Sequence, residues 1–129
     1  MSPCDTRLGI LGVGIDIAQV DRLRSAYDRG GESFLARVFT GRELNYCRRF
    51  PDPFPHLAAR FAAKESVIKA LGIACDPLEI EIERDEGRPR VVLHGRAKAK
   101  AAEMGVRELH ISLSHTDVFA AAVALAVAR

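Results

Sequence analysis

His56-Leu57-Ala58-Ala59-Arg60-Phe61-Ala62-Ala63-Lys64-Glu65-Ser66-Val67-Ile68-Lys69-Ala70-Leu71 is the stretch on which the fold turns. It contains no proline or glycine and is rich in alanine. Gly72 follows it, a residue suited to the left-handed position just past a helix end. The sequence therefore predicts a helix from His56 to Leu71. Wound at about 100° per residue, it sets Glu65 and Lys69 on one face with Ala58, Phe61 and Ala62. Lys64 falls among Leu57, Ile68 and Leu71, and Arg60 between Val67 and Leu71. Alanines at 59, 63 and 70 cover most of the remainder, so the helix has no clean solvent face and is expected to be buried nearly all round.

Charges on a buried helix need partners. Glu65 and Lys69 have the order of a favourable i,i+4 pair, worth about 0.2–0.5 kcal/mol, and the stems of Lys64 and Arg60 can reach water along apolar surface. Four charges on one otherwise apolar helix exceed that account, because taking a charge out of water costs several kcal/mol unless it is paired or binds a ligand. A functional site is the better reading of the group.

Working outward, Leu8 to Val20 reads as a strand, with Gly12, Gly14, Asp16 and Ala18 on one face and Leu11, Val13, Ile15 and Ile17 on the other. The glycines leave room for something to approach the backbone beside the Asp16 carboxylate. Their G-x-x-G-x-G spacing continues along the strand and is not the fingerprint of a dinucleotide turn. Asp21 to Phe39 reads as a helix interrupted at Gly30-Gly31. Thr40-Gly41-Arg42-Glu43 matches a capping box that opens a short helix toward Arg49, a structural motif rather than a chemical one. Pro51, Pro53 and Pro55 mark a loop. Beyond the central helix, Leu78 to Glu83 and Val91 to Leu93 form a hairpin that turns through Asp85 to Arg88. Arg96 to Met104 is an amphipathic helix ended by Gly105. Leu109 to His115 and Val118 to Val127 are two final strands, although the alanine-rich last segment also has helical propensity. With strands at both ends and helices between, the chain is expected to be a single α+β domain, 1–129, whose largely antiparallel sheet packs on the long central helix.

The 129 residues leave no room for two full domains. Nineteen Lys and Arg against seventeen Asp and Glu give a net charge of +2, too small to make nucleic acid a bulk electrostatic partner, and eight Phe and Tyr offer no evident stacking platform. The basic surplus is concentrated between Asp21 and Arg49. Three scattered cysteines, Cys4, Cys47 and Cys75, indicate neither a disulfide framework nor a zinc site. The apolar run Val118 to Ala128 is too short to span a bilayer and no leader is evident, so the chain is expected to be cytoplasmic and mature as written, with no membrane partner.

Asp16 and Glu65 are carboxylates in apolar or glycine-rich surroundings, and such a pair is relieved by a cation or a shared proton. Hard oxygen ligands suit Mg²⁺, which fills its other positions with water and substrate phosphate. Adding Lys64, Lys69, Arg60 and His115 gives the inventory of a phosphoryl-transfer site. Strand parity sets His115 with Ile111 and Leu113, facing inward, where a core role competes with a functional one. His56 and His110 read as surface or structural residues.

Gly12-Val13-Gly14-Ile15-Asp16-Ile17 with Val20 and Arg22, the block Phe61 to Ala70, Gly87-Arg88-Pro89, and Ser112-Leu113-Ser114-His115-Thr116 together resemble the holo-acyl-carrier-protein synthases, the small 4′-phosphopantetheinyl transferases. The likeness runs from about residue 10 to residue 125, in the family's order. It implies Mg²⁺-dependent transfer of the phosphopantetheine arm from coenzyme A to a serine of an apo acyl-carrier protein, with release of adenosine 3′,5′-bisphosphate. By the same resemblance, Asp16 and Glu65 hold the metal, Lys69 lies by the phosphates, and Arg60, Lys64, His115 and Thr116 belong to the coenzyme A site. Gly87 and Pro89 either line the adenine pocket or make a plain hairpin turn. The resemblance also implies that Arg22, with Arg24 beside it, lies on the helix that docks an acidic carrier, which the basic segment suits. Glu65, directly or through a water, is the candidate base for the serine. Asp16-Ile17-Ala18 offers a single carboxylate where longer relatives carry D-x-E, and the resemblance implies that a chain this short assembles as a homotrimer with sites between subunits. Two further readings use similar residues: a non-catalytic subunit that binds carrier or coenzyme A, and a Mg²⁺-dependent nucleotide pyrophosphatase.

Overall fold

Helix α3, Phe54–Leu71, runs across a three-stranded sheet and forms the centre of the computed structural model, which describes residues 9–84 and 87–128. It starts two residues earlier than its periodicity indicates, because Pro55 sits in the first turn, where a missing N–H costs nothing. It ends as expected at Gly72, whose φ of 69° is left-handed. Leu57, Ala58, Ala59, Ala62, Ala63, Val67, Ala70 and Leu71 are buried on it.

The sheet has the order β1-β5-β4 and is antiparallel throughout, with β1 Ile10–Gln19, β4 Glu108–His115 and β5 Phe119–Val127. The alanine-rich β5 is a strand despite its propensity: it is the central strand, paired on both edges, and small Ala120, Ala122, Ala124 and Ala126 let α3 lie close against it. The glycine face of β1, with its room for an approach to the backbone, admits α3 itself. A Cβ on Gly12 would lie 1.9 Å from the Ala70 carbonyl oxygen, and one on Gly14 would lie 1.8 Å from that of Ser66. The opposite face of β1 is open, with Val13, Ile15 and Ile17 all exposed.

Helix α1, Val20–Val38, is kinked where Gly31 leaves helical geometry (φ 61°, ψ −149°), at the expected Gly30-Gly31 break. Helix α2, Gly41–Cys47, opens on the expected capping box, with Thr40 and Glu43 each bonding the other's backbone. A turn of 3₁₀ helix, Pro77–Glu79, leads into the hairpin of β2, Ile80–Glu83, and β3, Arg90–Leu93, which is a second, separate sheet. Helix α4, Gly95–Met104, follows and ends on left-handed Gly105. Leu8 at the expected start of β1, Asp85 in the hairpin turn, and Cys4 lie outside the described residues. Among the described residues no helix is long and apolar enough to cross a membrane.

Candidate active site

β1 is an edge strand, and at that edge α3 brings together three of the expected residues. Lys69 Nζ lies 3.1 Å from Asp16 Oδ1 and donates at 2.9 Å to the Ile15 carbonyl. Lys69 thus turns to β1 rather than to Glu65 one helical turn back. Glu65 faces the same edge and is half-buried. Burial pushes its carboxyl above the usual range, the negative charge of Asp16 adds to the rise, and Lys69 opposes it. Two carboxylates in one another's field, with a cation drawn to one of them, form a site that gains from a further positive charge. Among the described residues no group of three or more His, Cys, Asp and Glu gathers as a metal cluster. A donor set of two carboxylates fits Mg²⁺, which is commonly held by one or two of them plus water and phosphate.

Arg60 and His115 gather elsewhere, on the side of β4. By register, the row Ala18, Ala120, His115 crosses the sheet. The two clusters therefore stand at opposite edges of three strands, about 10 Å apart at the strand spacing. His115 shares the α3-facing side with Ile111 and Leu113, as parity requires, but it is exposed rather than inward, because β4 is the other edge strand. Its ring meets that of His56 edge-on at 4.7 Å, and His56 stacks on Phe50 at 3.6 Å. Burial, then the charges of His115 and Arg60, lower the His56 pKa below its ordinary value. Arg60 is 2% exposed, with its guanidinium over the Tyr46 ring at 4.0 Å. Its Nε and Nη2 are buried and make no hydrogen bond among the described residues. Orphaned guanidinium donors are costly to bury and are satisfied by an anion such as phosphate.

Three expected site residues are otherwise engaged. Lys64 is fully buried and pairs with Glu43 of α2 at 2.7 Å, so it does not line a site. Thr116 Oγ1 accepts from the backbone N–H groups of Val118 and Phe119 and shapes the β4–β5 turn. Arg24 is held by Asp52 and lies over the Phe54 ring, tying α1 to the loop before α3 instead of standing free for a partner. Arg22 is exposed, and with Asp21, Ser25 and Arg29 it lines a groove of about 460 Å³ on α1. Gly87 has φ 78° and makes the turn that the hairpin needs. Pro89 also lines an open groove of about 1020 Å³ with Arg49, Arg88, Arg90, Leu109 and Ile111. A second groove of about 370 Å³ between α2 and β2 shares Arg49 and includes Tyr46. Tyr46, Arg49 and His56 join the site although the sequence reading does not place them there. His56 was legible in principle, since it precedes Arg60 by one helical turn on the same face.

A family model of the 4′-phosphopantetheinyl transferase superfamily matches residues 12–125. The chain belongs to this superfamily. Among its transferase relatives, the holo-[acyl-carrier-protein] synthase of Moorella thermoacetica is 52% identical over 120 residues, covering 90% of this chain and 93% of the relative. The crystal structure of a holo-ACP synthase from Plasmodium yoelii superposes with a TM-score of 0.83 at 31% identity, covering 96% of this chain and 99% of that one. The Helicobacter pylori holo-[acyl-carrier-protein] synthase in complex with coenzyme A matches with a TM-score of 0.77 at 29% identity, covering 88% and 98%. The transferase fold and the site geometry thus point the same way.

Proposed function

We propose that the protein is a holo-acyl-carrier-protein synthase that transfers 4′-phosphopantetheine from coenzyme A to a serine of an acidic apo acyl-carrier protein. The observation that carries this reading is the edge cluster of Asp16, Glu65 and Lys69, a set of groups that suits a pyrophosphate and nothing apolar. The serine oxygen attacks the phosphorus that bears the pantetheine arm. The bond to the departing adenosine 3′,5′-bisphosphate breaks, and the serine proton passes to Glu65. A carboxylate positioned at the reacting centre serves as general base, and Glu65 is half-buried at this edge. Lys69 Nζ, already at the cluster, stabilises charge that grows on the phosphate oxygens as the bond breaks. Asp16 and Glu65 are the residues that would hold Mg²⁺, which supplies charge neutralisation on the pyrophosphate when bound.

Arg60, with two unfilled donors, and the arginine-lined grooves on either side of Arg49 offer seats for the rest of the donor. Because the two clusters occupy opposite edges of one sheet, a complete site is most simply formed where one subunit's β1 edge meets a neighbour's β4 side. The exposed apolar row on β1, with Val118 and Phe119 beside it, favours such self-assembly, and the trimer implied by the family resemblance fits it. Arg22 and the groove toward Arg29 are the docking surface for the carrier. These roles belong in the cytoplasm, within fatty-acid synthesis. Mixing the protein with coenzyme A, Mg²⁺ and an apo carrier should add the mass of phosphopantetheine to the carrier. Absence of any gain across fatty-acid and polyketide carriers would sink the reading.

A further inference from the structure

Lys64 stands immediately before Glu65, yet its ammonium is engaged inside the fold. Nζ lies 2.7 Å from Glu43 Oε1 and donates to the carbonyls of Ile80 at 2.7 Å and Pro77 at 3.0 Å. An ammonium has three donors, and these three acceptors use them all. Glu43 is equally occupied: its oxygens also accept from the backbone N–H groups of Ile82 at 2.8 Å and Thr40 at 2.8 Å. A second strap runs alongside, where Thr40 Oγ1 donates to Glu81 Oε2 at 2.6 Å. One buried ion pair thereby joins α3, the start of α2, and β2. Three residues past Glu43, on the same short helix, comes Tyr46, the ring on which the Arg60 guanidinium rests and over which Arg49 also lies.

We propose that Lys64 is a positioning residue for binding of the donor's phosphate monoester. Through Glu43 it fixes α2, and with it the Tyr46 ring that aims the free Nε and Nη2 of Arg60. This rests on the transferase reading above. The pyrophosphate of coenzyme A is met by Asp16, Glu65 and Lys69, which leaves the 3′-phosphate as the remaining anion for Arg60. Removing Lys64 alone strands the Glu43 carboxylate in a dry seam, where it must draw in water or swing outward with α2. Neutralising both members avoids this. In Glu43→Gln the amide oxygen still accepts a backbone N–H, and in Lys64→Met the new side chain nearly matches the lysine stem in volume.

The test compares coenzyme A with 3′-dephospho-coenzyme A as donor for the full-length wild type, Lys64→Met, Glu43→Gln and the double variant, at saturating carrier. Wild type is expected to prefer coenzyme A by roughly tenfold or more in kcat/KM, in line with a charged hydrogen bond to a phosphate. Lys64→Met should lose most of that preference through a higher KM for coenzyme A, with kcat and the dephospho-donor KM changed less than about threefold. The double variant should regain most of the preference. Retention of full preference by Lys64→Met would overturn the proposal, and so would equal losses in the single and double variants, which would mean that Lys64 touches the donor itself. Should Lys64→Met fail to fold by circular dichroism, Glu43→Gln decides: lost preference supports the proposal and unchanged preference overturns it. A wild type that uses both donors equally would also overturn it. A wild type that transfers from neither would instead sink the transferase reading on which it rests.

Discussion

Lys64 and Glu65 are adjacent in sequence and opposite in circumstance. Lys64 points into a seam where every donor is filled within the chain, while Glu65, one residue and about 100° further round the helix, faces a strand edge with its charge only partly offset by Lys69. The difference teaches that a charged motif does not divide into chemistry and scaffolding by residue type. What divides it is whether the protein already supplies the partners. Arg60, on the same helix, belongs with Glu65 by that criterion: it is buried like Lys64, but two of its donors are left open.

The sharpest way to break the comparison is to remove each charge and ask which property fails. Glu65→Gln should lower kcat by about 10²–10⁴-fold, while its melting temperature stays within a few degrees of wild type. A near-normal rate in the mass-gain assay would place the base elsewhere. Lys64→Met should do the reverse and lose stability first, by about 3–5 kcal/mol in urea unfolding, as expected when one member of a buried pair is removed. Glu43→Gln/Lys64→Met should recover at least half of that. Arg22→Glu and Arg24→Ala extend the contrast to α1. Reversing the exposed arginine should raise the KM for the carrier about tenfold and flatten its salt dependence, as loss of a steering charge does. Cutting the one held by Asp52 should leave that KM within about twofold and cost no more than about 1 kcal/mol.

The smallest effect concerns the strap beside Lys64. The Thr40 hydroxyl, and secondarily His94, hold Glu81 below its usual carboxylate pKa against the opposing effect of burial. Its stabilising contribution is therefore complete above about pH 4.5, the ordinary value, and is lost as pH falls through the lower value of the folded protein. Glu81→Gln should be less stable than wild type at pH 7, and the gap should close in acid melts. A gap that stays constant with pH would show that the strap works without its charge.

Local signals told most of the architecture. Alternation set β1 and the parity of β4, the Thr40–Glu43 box opened α2, and glycines closed α3 and α4, because each of these depends on residues within a few positions of one another. Asp16, Glu65 and Lys69 were legible as a candidate cluster because their surroundings are apolar and their motif is specific, and the structure brings them to one strand edge. The engagements that removed Lys64 and Arg24 were not legible, since their partners Glu43 and Asp52 lie 21 and 28 residues away and arrive through tertiary packing. Exposure of His115 was hidden for a related reason: parity gives a side chain's face, and only sheet order says that β4 is an edge.

The two glycines of β1 carry a consequence for the distance between the carboxylates. Gly14 touches the Ser66 carbonyl; Asp16 is two residues beyond it on the strand, and Glu65 immediately precedes Ser66 on the helix. The absence of a methyl group at that contact acts as a spacer gauge. An alanine at residue 14 would wedge helix from strand and open the gap between Asp16 and Glu65 without altering either residue. The separation of the two carboxylates is thus set by a hydrogen atom on a residue that has no side chain with which to take part.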